Sequence, residues 1–442
     1  MWISFLNYLG KRLCCHSNTG ILNNIRSVGM GSNITELYSS VCEEHKLPYN
    51  GYIFEVLQET ERKTGNITLQ LNGNDRLRKA KRLTNEDTLA LSRILKDNND
   101  VTGLVLRYNC ITDEGARHLA DLLEDNVCLR SLDLTGNDIQ TDGAEFLARS
   151  LTTNKALLSL RLTGNKIRNQ GAIHFARMLQ VNTTLQELDL AYSDMETQSV
   201  IAFAIVLNNN NSLRSVNISR PLLFSHMDEA AVHLSGMLVV NQSLRELHLG
   251  KMDLTDSGVE RLAEALRNNY SLKYLDLRCN RVTRDGVRCL AEVLKQNGTL
   301  EILDLSSNRI EDDGAIYLSQ AIAMPTCSLK ALSIPSNNIA TAGLVSLCQA
   351  MQATSTLTHI YIWGNKLEEP VCQVFRDLLS SGRLPAEQTD VCVYEVDGCV
   401  CLAEVFHGLR RHYYWEPSYG QNRDPACNAA VALTNTNTVT TQ

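Results

Sequence analysis

The sequence predicts an α/β fold: a curved solenoid with a parallel concave sheet and convex helices, in about eleven repeats of 28 residues. Three observations predict it. The 442-residue chain contains 65 leucines and 37 asparagines but only 8 prolines. The pattern Leu-x-Leu-x-x-Asn recurs in eleven units, and seven of the ten steps between units are 28 residues long. In most units a glycine follows, and then apolar residues at helical spacing. Such a fixed period is typical of a repeat protein.

Each unit begins with a short strand. In Leu132-Asp133-Leu134, as in the other units, one residue separates two leucines. Because a strand alternates its side chains between two faces, both leucines point to one side and the middle residue to the other. The leucines therefore form the core, and the middle residues line the opposite face.

A helix follows each strand. Glycine recurs six residues after the reference asparagine, as at Gly115 and Gly143, and leucines at helical spacing come next. The reference asparagine is expected to satisfy turn backbone groups, because its amide both donates and accepts. A second asparagine series closes the helices, and we expect it to use the left-handed conformation that asparagine tolerates. This series comprises Asn126, Asn154, Asn182, Asn210, Asn241, Asn269 and Asn297.

The units cannot stack along a straight axis. Neighbouring strands lie about 4.8 Å apart, whereas packed helices need about 8 to 10 Å. The solenoid must therefore curve, with the strands on its concave side and the helices on its convex side.

The repeats resemble a known family. Residues 132–137 (LDLTGN) and 303–308 (LDLSSN) are similar to ribonuclease-inhibitor-type leucine-rich repeats, and the similarity extends over residues 67–382. A narrower resemblance, to one group within this family, rests on residues 160–167, 199–204, 359–366 and 412–415. It implies a non-enzymatic protein of the nucleus, nucleolus and cytoplasm, linked to stem-cell and germ-cell differentiation. It also implies nucleophosmin and nucleolin as protein partners.

The flanking segments are predicted to cap or extend the solenoid of residues 67–382. Residues 1–30 lack acidic residues and are expected to be a disordered extension, with a presequence or acylation of Cys14 and Cys15 as open alternatives. Residues 31–66 are predicted to form a helical cap, since Asn33 and Glu36 are a helix-start signal. Residues 383–419 are predicted to form a hairpin cap around an Asp-Gly turn. The Asn- and Thr-rich residues 420–442 are expected to be a disordered tail.

Two irregularities leave alternatives open. A run of five basic residues in seven follows the first unit: Arg76, Arg78, Lys79, Lys81 and Arg82. It indicates either a nuclear-import patch or a solvated helix face, and the solvated face is favoured. Three successive units replace the reference asparagine by Ser193, Pro221 and Met252, and the Pro221 unit is stretched to 31 residues. Drift in a tolerant array is the favoured explanation, and a distortion that shapes a site is the other.

No sequence motif indicates catalysis. The chain has no Gly-rich phosphate loop ending in Lys-Ser/Thr, no His-Glu-x-x-His and no Gly-x-Ser-x-Gly. Cys399 and Cys401 are expected to be buried thiols rather than metal ligands. No apolar run approaches the length of a membrane span. We therefore expect no enzyme, no metal, no cofactor and no membrane partner, and a monomer.

The function is accordingly expected on the concave face. Ten inter-strand steps make a face about 48 Å long, which is ample for a protein interface. Its aspartates, interrupted by arginines, suit a basic protein partner and disfavour direct nucleic-acid binding. The predicted partner-binding residues are Arg107, Asp133, Arg161, Asp189, Tyr274, Asp276, Arg278, Asp304, His359, Tyr361 and Trp363.

The aromatic end of this face is the strongest local candidate. His359, Tyr361 and Trp363 face inward from one strand, and Tyr, Trp and Arg dominate interface hot spots. The alternative is an internal cap in which Tyr413 and the residues after it fold over these aromatics.

The sequence thus predicts a non-catalytic protein–protein interaction scaffold. The alternative is a regulator of an enzyme, either a GTPase-activating protein for a Ran-like GTPase or a ribonuclease inhibitor. Both use this repeat type, and a fold does not decide a function.

Overall fold

The computed structural model describes residues 33–405, apart from residues 62, 64, 79 and 223–226. Eleven short strands pair in parallel and in chain order to form one sheet. The strands are β1 (Ile67–Gln70), β2 (Val101–Val105), β3 (Ser131–Asp133), β4 (Ser159–Arg161), β5 (Glu187–Asp189), β6 (Ser215–Asn217), β7 (Glu246–His248), β8 (Tyr274–Asp276), β9 (Ile302–Asp304), β10 (Ala331–Ser333) and β11 (His359–Tyr361).

A helix follows every strand of this sheet, and successive helices pack side by side. The helices are α1 (Ile34–Glu44), α2 (Gly51–Thr60), α3 (Asn85–Leu95), α4 (Asp113–Asp125), α5 (Thr141–Leu151), α6 (Arg168–Leu179), α7 (Thr197–Leu207), α8 (Met227–Val240), α9 (Asp256–Leu266), α10 (Arg284–Leu294), α11 (Glu311–Ile322), α12 (Thr341–Ala353) and α13 (Glu369–Ser380). The predicted α/β solenoid is confirmed.

The leucines of the repeat form one continuous core. Leu132 of β3 pairs with Leu160 of β4, which pairs in turn with Leu188 of β5. These leucines and the second leucine of each pattern are buried. Because the register is constant, each unit packs only against its neighbours, as expected of a solenoid.

The reference asparagines satisfy backbone groups of two units at once. The Asn137 Nδ2 donates to the carbonyls of Leu134 in its own unit and of Leu106 in the preceding one, at 2.9 and 2.8 Å. Its Oδ1 accepts from the Ile111 amide at 3.2 Å. The expected role is therefore observed, but it does not extend to the first unit, where Asn74 is exposed.

The asparagines of the second series act through hydrogen bonds of their buried side chains and not through a special backbone conformation. The Asn182 Nδ2 donates to the carbonyl of Leu151, which ends α5 in the preceding unit, at 2.7 Å. Its Oδ1 accepts from the amides of Thr184 and Leu185. None of the seven asparagines has a positive φ, so the predicted left-handed conformation is wrong. These side chains instead satisfy carbonyls at the end of the preceding helix, which would otherwise lack partners.

The first end of the solenoid is covered by α1 and α2. The Tyr52 hydroxyl of α2 lies 3.4 and 3.3 Å from the carbonyls of Gln70 and Asn72, on the outer side of β1. The side chain of Asn33 makes no capping hydrogen bond to α1. The helix-start signal therefore predicted the right position, but its capping box does not form.

The last end is closed by one carboxylate and a hairpin. Asp390 accepts from the amides of Ile362 and Trp363, at 2.8 and 3.0 Å. It occupies the place that a carbonyl of a further strand would take. The antiparallel strands β12 (Val391–Val396) and β13 (Cys399–Glu404) follow and pack against α13. Burial raises the pKa of Asp390 above its ordinary value.

Within the described residues, no helix is long and apolar enough to cross a membrane.

The hydrogen bonds of the reference asparagines, which we call the asparagine ladder, predict that two asparagine-to-alanine substitutions differ greatly in their effect on stability. Asn137→Ala removes hydrogen bonds to three buried backbone groups and should destabilise the fold by about 3 kcal/mol. The measurement is urea unfolding followed by circular dichroism, read as the midpoint and slope.

The matched control is Asn74→Ala, which removes an exposed asparagine of the same sequence pattern. It should change stability by less than about 0.5 kcal/mol. Equal midpoints for the two variants would show that the ladder does not stabilise the solenoid.

Candidate partner-binding surface

All the predicted partner-binding residues lie along the strand side of the sheet. Five of them end a strand, namely Asp133, Arg161, Asp189, Asp276 and Asp304. Tyr274 begins β8, and His359 and Tyr361 belong to β11. Arg107, Arg278 and Trp363 follow β2, β8 and β11 by two residues, so the alternation of an extended chain keeps them on the same face.

A row of ion pairs crosses the first half of this face. The Asp133 Oδ2 lies 2.7 Å from the Arg107 Nη2 and 3.8 Å from the Arg161 Nη1. The Arg161 guanidinium also reaches the Glu187 Oε1, at 2.7 Å. Burial alone would raise the pKa of Asp133, but the charges of Arg107 and Arg161 outweigh it and hold this pKa below its ordinary value.

Asp189 is held by uncharged donors. The Thr163 hydroxyl donates to its Oδ1 at 2.7 Å, and the Asn217 Nδ2 donates to its Oδ2 at 3.1 Å. The Ala191 amide is a third donor, at 3.0 Å. The carboxylate is therefore stabilised by hydrogen bonds from three successive strands or their turns.

In the second half of the face, a buried histidine lies between two carboxylates. The His248 Nδ1 lies 3.4 Å from the Asp276 Oδ2, and its Nε2 lies 3.5 Å from the Glu246 Oε2. The Tyr274 ring meets the imidazole edge to face, with centroids 4.8 Å apart. The Arg278 guanidinium lies 3.0 Å from Asp276. Burial lowers the pKa of His248, but hydrogen bonds to both carboxylates outweigh this and raise it to about 9.

Most of the predicted polar residues of this face are buried. Six predicted residues are at most 5% exposed: Asp133, Arg161, Asp189, Tyr274, Asp276 and Asp304. Adjacent strands lie only about 4.8 Å apart, so side chains on neighbouring strands cover one another. Arginines and a histidine neutralise much of the carboxylate charge. That these six residues contact a partner stays a prediction, but their exposed surface is small.

The aromatic end is more accessible. His359, Tyr361 and Trp363 are all half-buried. Trp363 packs against the main core, and its backbone amide bonds Asp390. The predicted cap by Tyr413, Tyr414 and Trp415 falls outside the described residues.

Residues 76–78 of the basic run form a turn and residues 80–82 have no regular secondary structure, so the described part of the run is not the helix face that the favoured interpretation assumed. Arg76, Lys81 and Arg82 are exposed, whereas Arg78 lies 2.9 Å from Glu59 and 3.8 Å from Asp75. Lys79 lies outside the described residues. Among the described residues of the run, three cations are therefore exposed.

Sequence reasoning missed two residues of this face. Glu187 and Glu246 begin β5 and β7 and accept hydrogen bonds from Ser159 and Ser215, at 2.6 and 2.9 Å. The signal was present, because alternation places the residue before each strand leucine on the same face as the residue after it.

Within residues 33–405, as far as they are described, no cluster of histidine, cysteine, aspartate and glutamate is arranged to hold a metal ion. The cysteines of this part are all free thiols. Cys399 is exposed and Cys401 only half-buried, so the predicted burial of these two thiols is wrong. Alternation along β13 directs them away from α13.

Comparisons with known proteins show what this chain is similar to. The leucine-rich repeat model matches residues 97–120, 125–148, 153–176, 181–204, 240–263, 268–291 and 296–319. Human leucine-rich repeat-containing protein 34 is 54% identical over 91% of this chain and 88% of its own. The rat protein of that name is 52% identical over 90% and 98%, and the mouse protein 47% identical over 90% and 97%.

The chain belongs to the leucine-rich repeat-containing protein 34 family. The predicted resemblance is thereby confirmed. The names of these relatives describe repeat proteins and name no enzyme. In this family member the repeat model leaves the stretch between residues 204 and 240 unmatched, which contains the unit of Pro221.

The buried histidine of this family member predicts a pH dependence of stability. Its folded pKa of about 9 lies above the ordinary value near 6.5. The protonated form therefore stabilises the fold fully below about pH 6.5, and this contribution is lost as the pH rises towards 9. We expect the urea midpoint of the wild type to fall over this range.

His248→Gln should remove most of this fall and lower the midpoint at pH 6.5. His174→Gln is the control, because His174 is more exposed and lies 3.7 Å from a single, largely exposed carboxylate. If wild type and His248→Gln showed the same slope between pH 6.5 and 9, the proposed charge of His248 would be wrong.

Proposed function

We propose that this protein is a non-catalytic scaffold that binds nuclear or nucleolar proteins through its concave face. Leucine-rich repeat proteins generally bind other proteins. The resemblance supports a role in stem-cell or germ-cell differentiation or in ribosome biogenesis, in the nucleus and nucleolus and also in the cytoplasm. It makes nucleophosmin and nucleolin the first partners to test.

One observation carries the proposal. The more accessible part of the predicted set, Arg107 and Arg278 with His359, Tyr361 and Trp363, is half-buried and flanks a buried centre on one continuous sheet. Arginine, tyrosine and tryptophan are the residues that most often dominate binding energy. A rigid polar centre between such anchors suits a pre-formed protein interface.

The basic run supports the proposed location. Arg76, Lys81 and Arg82 are exposed in the segment that follows the first strand, where an import receptor could reach them without contacting the concave centre. The run therefore supports nuclear import as a function separate from partner binding.

Affinity capture from nuclear extract tests the scaffold. The double variant Tyr361→Ala, Trp363→Ala should lose most of its captured nucleophosmin or nucleolin, because truncating a hot-spot residue costs about 2 kcal/mol or more. Quantitative immunoblotting of the captured material measures the loss.

Tyr270→Ala is the control, because it removes an exposed tyrosine that lies outside the strands. Thermal unfolding is measured alongside, since Trp363 also packs against the core. If Trp363→Ala keeps the partners but unfolds at a much lower temperature, Trp363 serves internal packing and not binding.

Neutralising the exposed cations tests import. Arg76→Gln, Lys81→Gln, Arg82→Gln should reduce the nuclear fraction of a fluorescent fusion. A control with Arg261, Arg267 and Arg288 changed to Gln removes three exposed cations on or directly after the helices. Unchanged nuclear accumulation in the first variant would remove the import function.

A further inference from the structure

The residue before each reference position turns the chain away from its strand. In ten successive units this residue has a positive φ: Tyr108, Gly136, Gly164, Tyr192, Arg220, Lys251, Cys279, Ser307, Ser336 and Gly364. This backbone region favours glycine and penalises larger side chains. Most of the ten are accordingly glycine, serine or cysteine. The aromatic ring of Tyr108 is accommodated because it lies over Gly136, where a Cβ would meet the ring at 2.7 Å.

Three large residues occupy this position in succession. Tyr192, Arg220 and Lys251 have φ values of 58, 57 and 56°, and we call them the rim cluster. The Tyr192 amide donates to the Ser219 carbonyl, and the Arg220 amide to the Gly250 carbonyl, at 3.0 and 2.8 Å. Neighbouring units therefore place the three side chains side by side.

The cluster brings two cations to one aromatic ring. The Arg220 Cζ lies 5.0 Å and the Lys251 Nζ 5.3 Å from the centroid of the Tyr192 ring. The negative face of the ring attracts both charges. It thereby holds side chains that would otherwise move apart, because like charges repel.

Arg220 and Lys251 lack the carboxylate partners that the other cations of this face have. Arg107, Arg161 and Arg278 each lie within 3.0 Å of a carboxylate oxygen. Within the described part of the chain, neither Arg220 nor Lys251 lies within ion-pair distance of an acidic side chain, and both are exposed. An incoming anion would relieve their repulsion and complete the charge balance.

The cluster coincides with the irregular units. Tyr192, Arg220 and Lys251 directly precede Ser193, Pro221 and Met252, the three positions that lack the reference asparagine. Ser193 replaces part of the lost ladder by donating its hydroxyl to the Leu190 carbonyl, and the Asn280 Oδ1 accepts from the Met252 amide at 2.9 Å. The backbone turn therefore survives while the ladder is interrupted. Conformational cost that is kept in three adjacent units is typical of a ligand site.

We propose that the rim cluster is an anion-binding subsite for an acidic peptide segment, whose carboxylate or phosphoryl group is held between Arg220 and Lys251. The proposal rests on the scaffold function and names the chemistry that one part of a partner presents. A peptide is favoured over a nucleic acid because the site offers only two cations. A nucleic acid would bring a run of phosphates to the site, whereas two cations can hold a single anionic group.

The test uses the full chain and short fluorescent probes, with binding read as anisotropy. The probes are a glutamate-rich peptide, the same peptide with phosphoserines, a neutral glutamine version and a single-stranded DNA oligonucleotide. The double variant Arg220→Gly, Lys251→Gly removes both charges and places glycine where the backbone favours it. Its thermal unfolding midpoint should be unchanged or raised, so a loss of affinity cannot be attributed to unfolding.

The wild type should bind both acidic peptides more tightly than the neutral one, and the tighter of the two identifies the preferred anion. The double glycine variant should lose about tenfold or more in affinity, as expected for two charge-assisted contacts. Tyr192→Phe should keep most of the affinity and Tyr192→Leu should lower it, because only phenylalanine keeps the ring that orients the cations. The control, Lys155→Gln with Lys166→Gln, removes two other exposed lysines and should have less than a twofold effect.

Three results would overturn the proposal. They are equal binding of the acidic and neutral peptides, an equal loss in the lysine control, and tighter binding of the DNA through Arg220 and Lys251. Failure here is distinguishable from failure of the scaffold. If the protein still captures nuclear partners but binds no acidic peptide, only the rim site is refuted. If it binds the acidic peptide but captures no nuclear partner, only the scaffold function is refuted.

Discussion

The structure depends on satisfying the backbone groups buried at every turn. Each unit leaves carbonyls and amides inside the solenoid, where water cannot reach them and where an unpaired group is costly. Asn137 and Asn182 bond backbone groups of their own unit and of the preceding one. The packing of the leucines and these hydrogen bonds therefore both link each unit to its direct neighbours. The two ends need other groups, and Tyr52 and Asp390 fill this role.

The spacing that stacks leucines on one face also stacks polar side chains on the other. Like charges in successive strands would repel at about 4.8 Å. Asp133 and Arg161 avoid this by alternating in sign, and His248 lies between two carboxylates. Much of the charge on this face is therefore neutralised within the sheet. The more accessible residues of the last strand, His359, Tyr361 and Trp363, carry the stronger case for partner contact.

The three irregular units show the consequence of interrupting the asparagine ladder. Ser193, Pro221 and Met252 cannot reproduce the amide of asparagine, and the residues before them form the rim cluster. An interrupted ladder and an exposed pair of cations at the same edge are difficult to explain as independent drift. The distortion that the sequence left as the less favoured explanation gains support from this coincidence.

The sequence by itself determined the fold, the strand positions, the core leucines and the row to which each polar residue belongs. These follow from periodicity alone, because a period of two within strands and of 28 between them assigns every side chain to a face. Only the tertiary structure decided that Asp133 and Arg161 are buried, that Asp390 ends the sheet and that Arg220 and Lys251 meet over Tyr192. Those facts depend on side-chain distances across neighbouring units. Periodicity places residues in adjacent units, but packing and charge decide whether they touch.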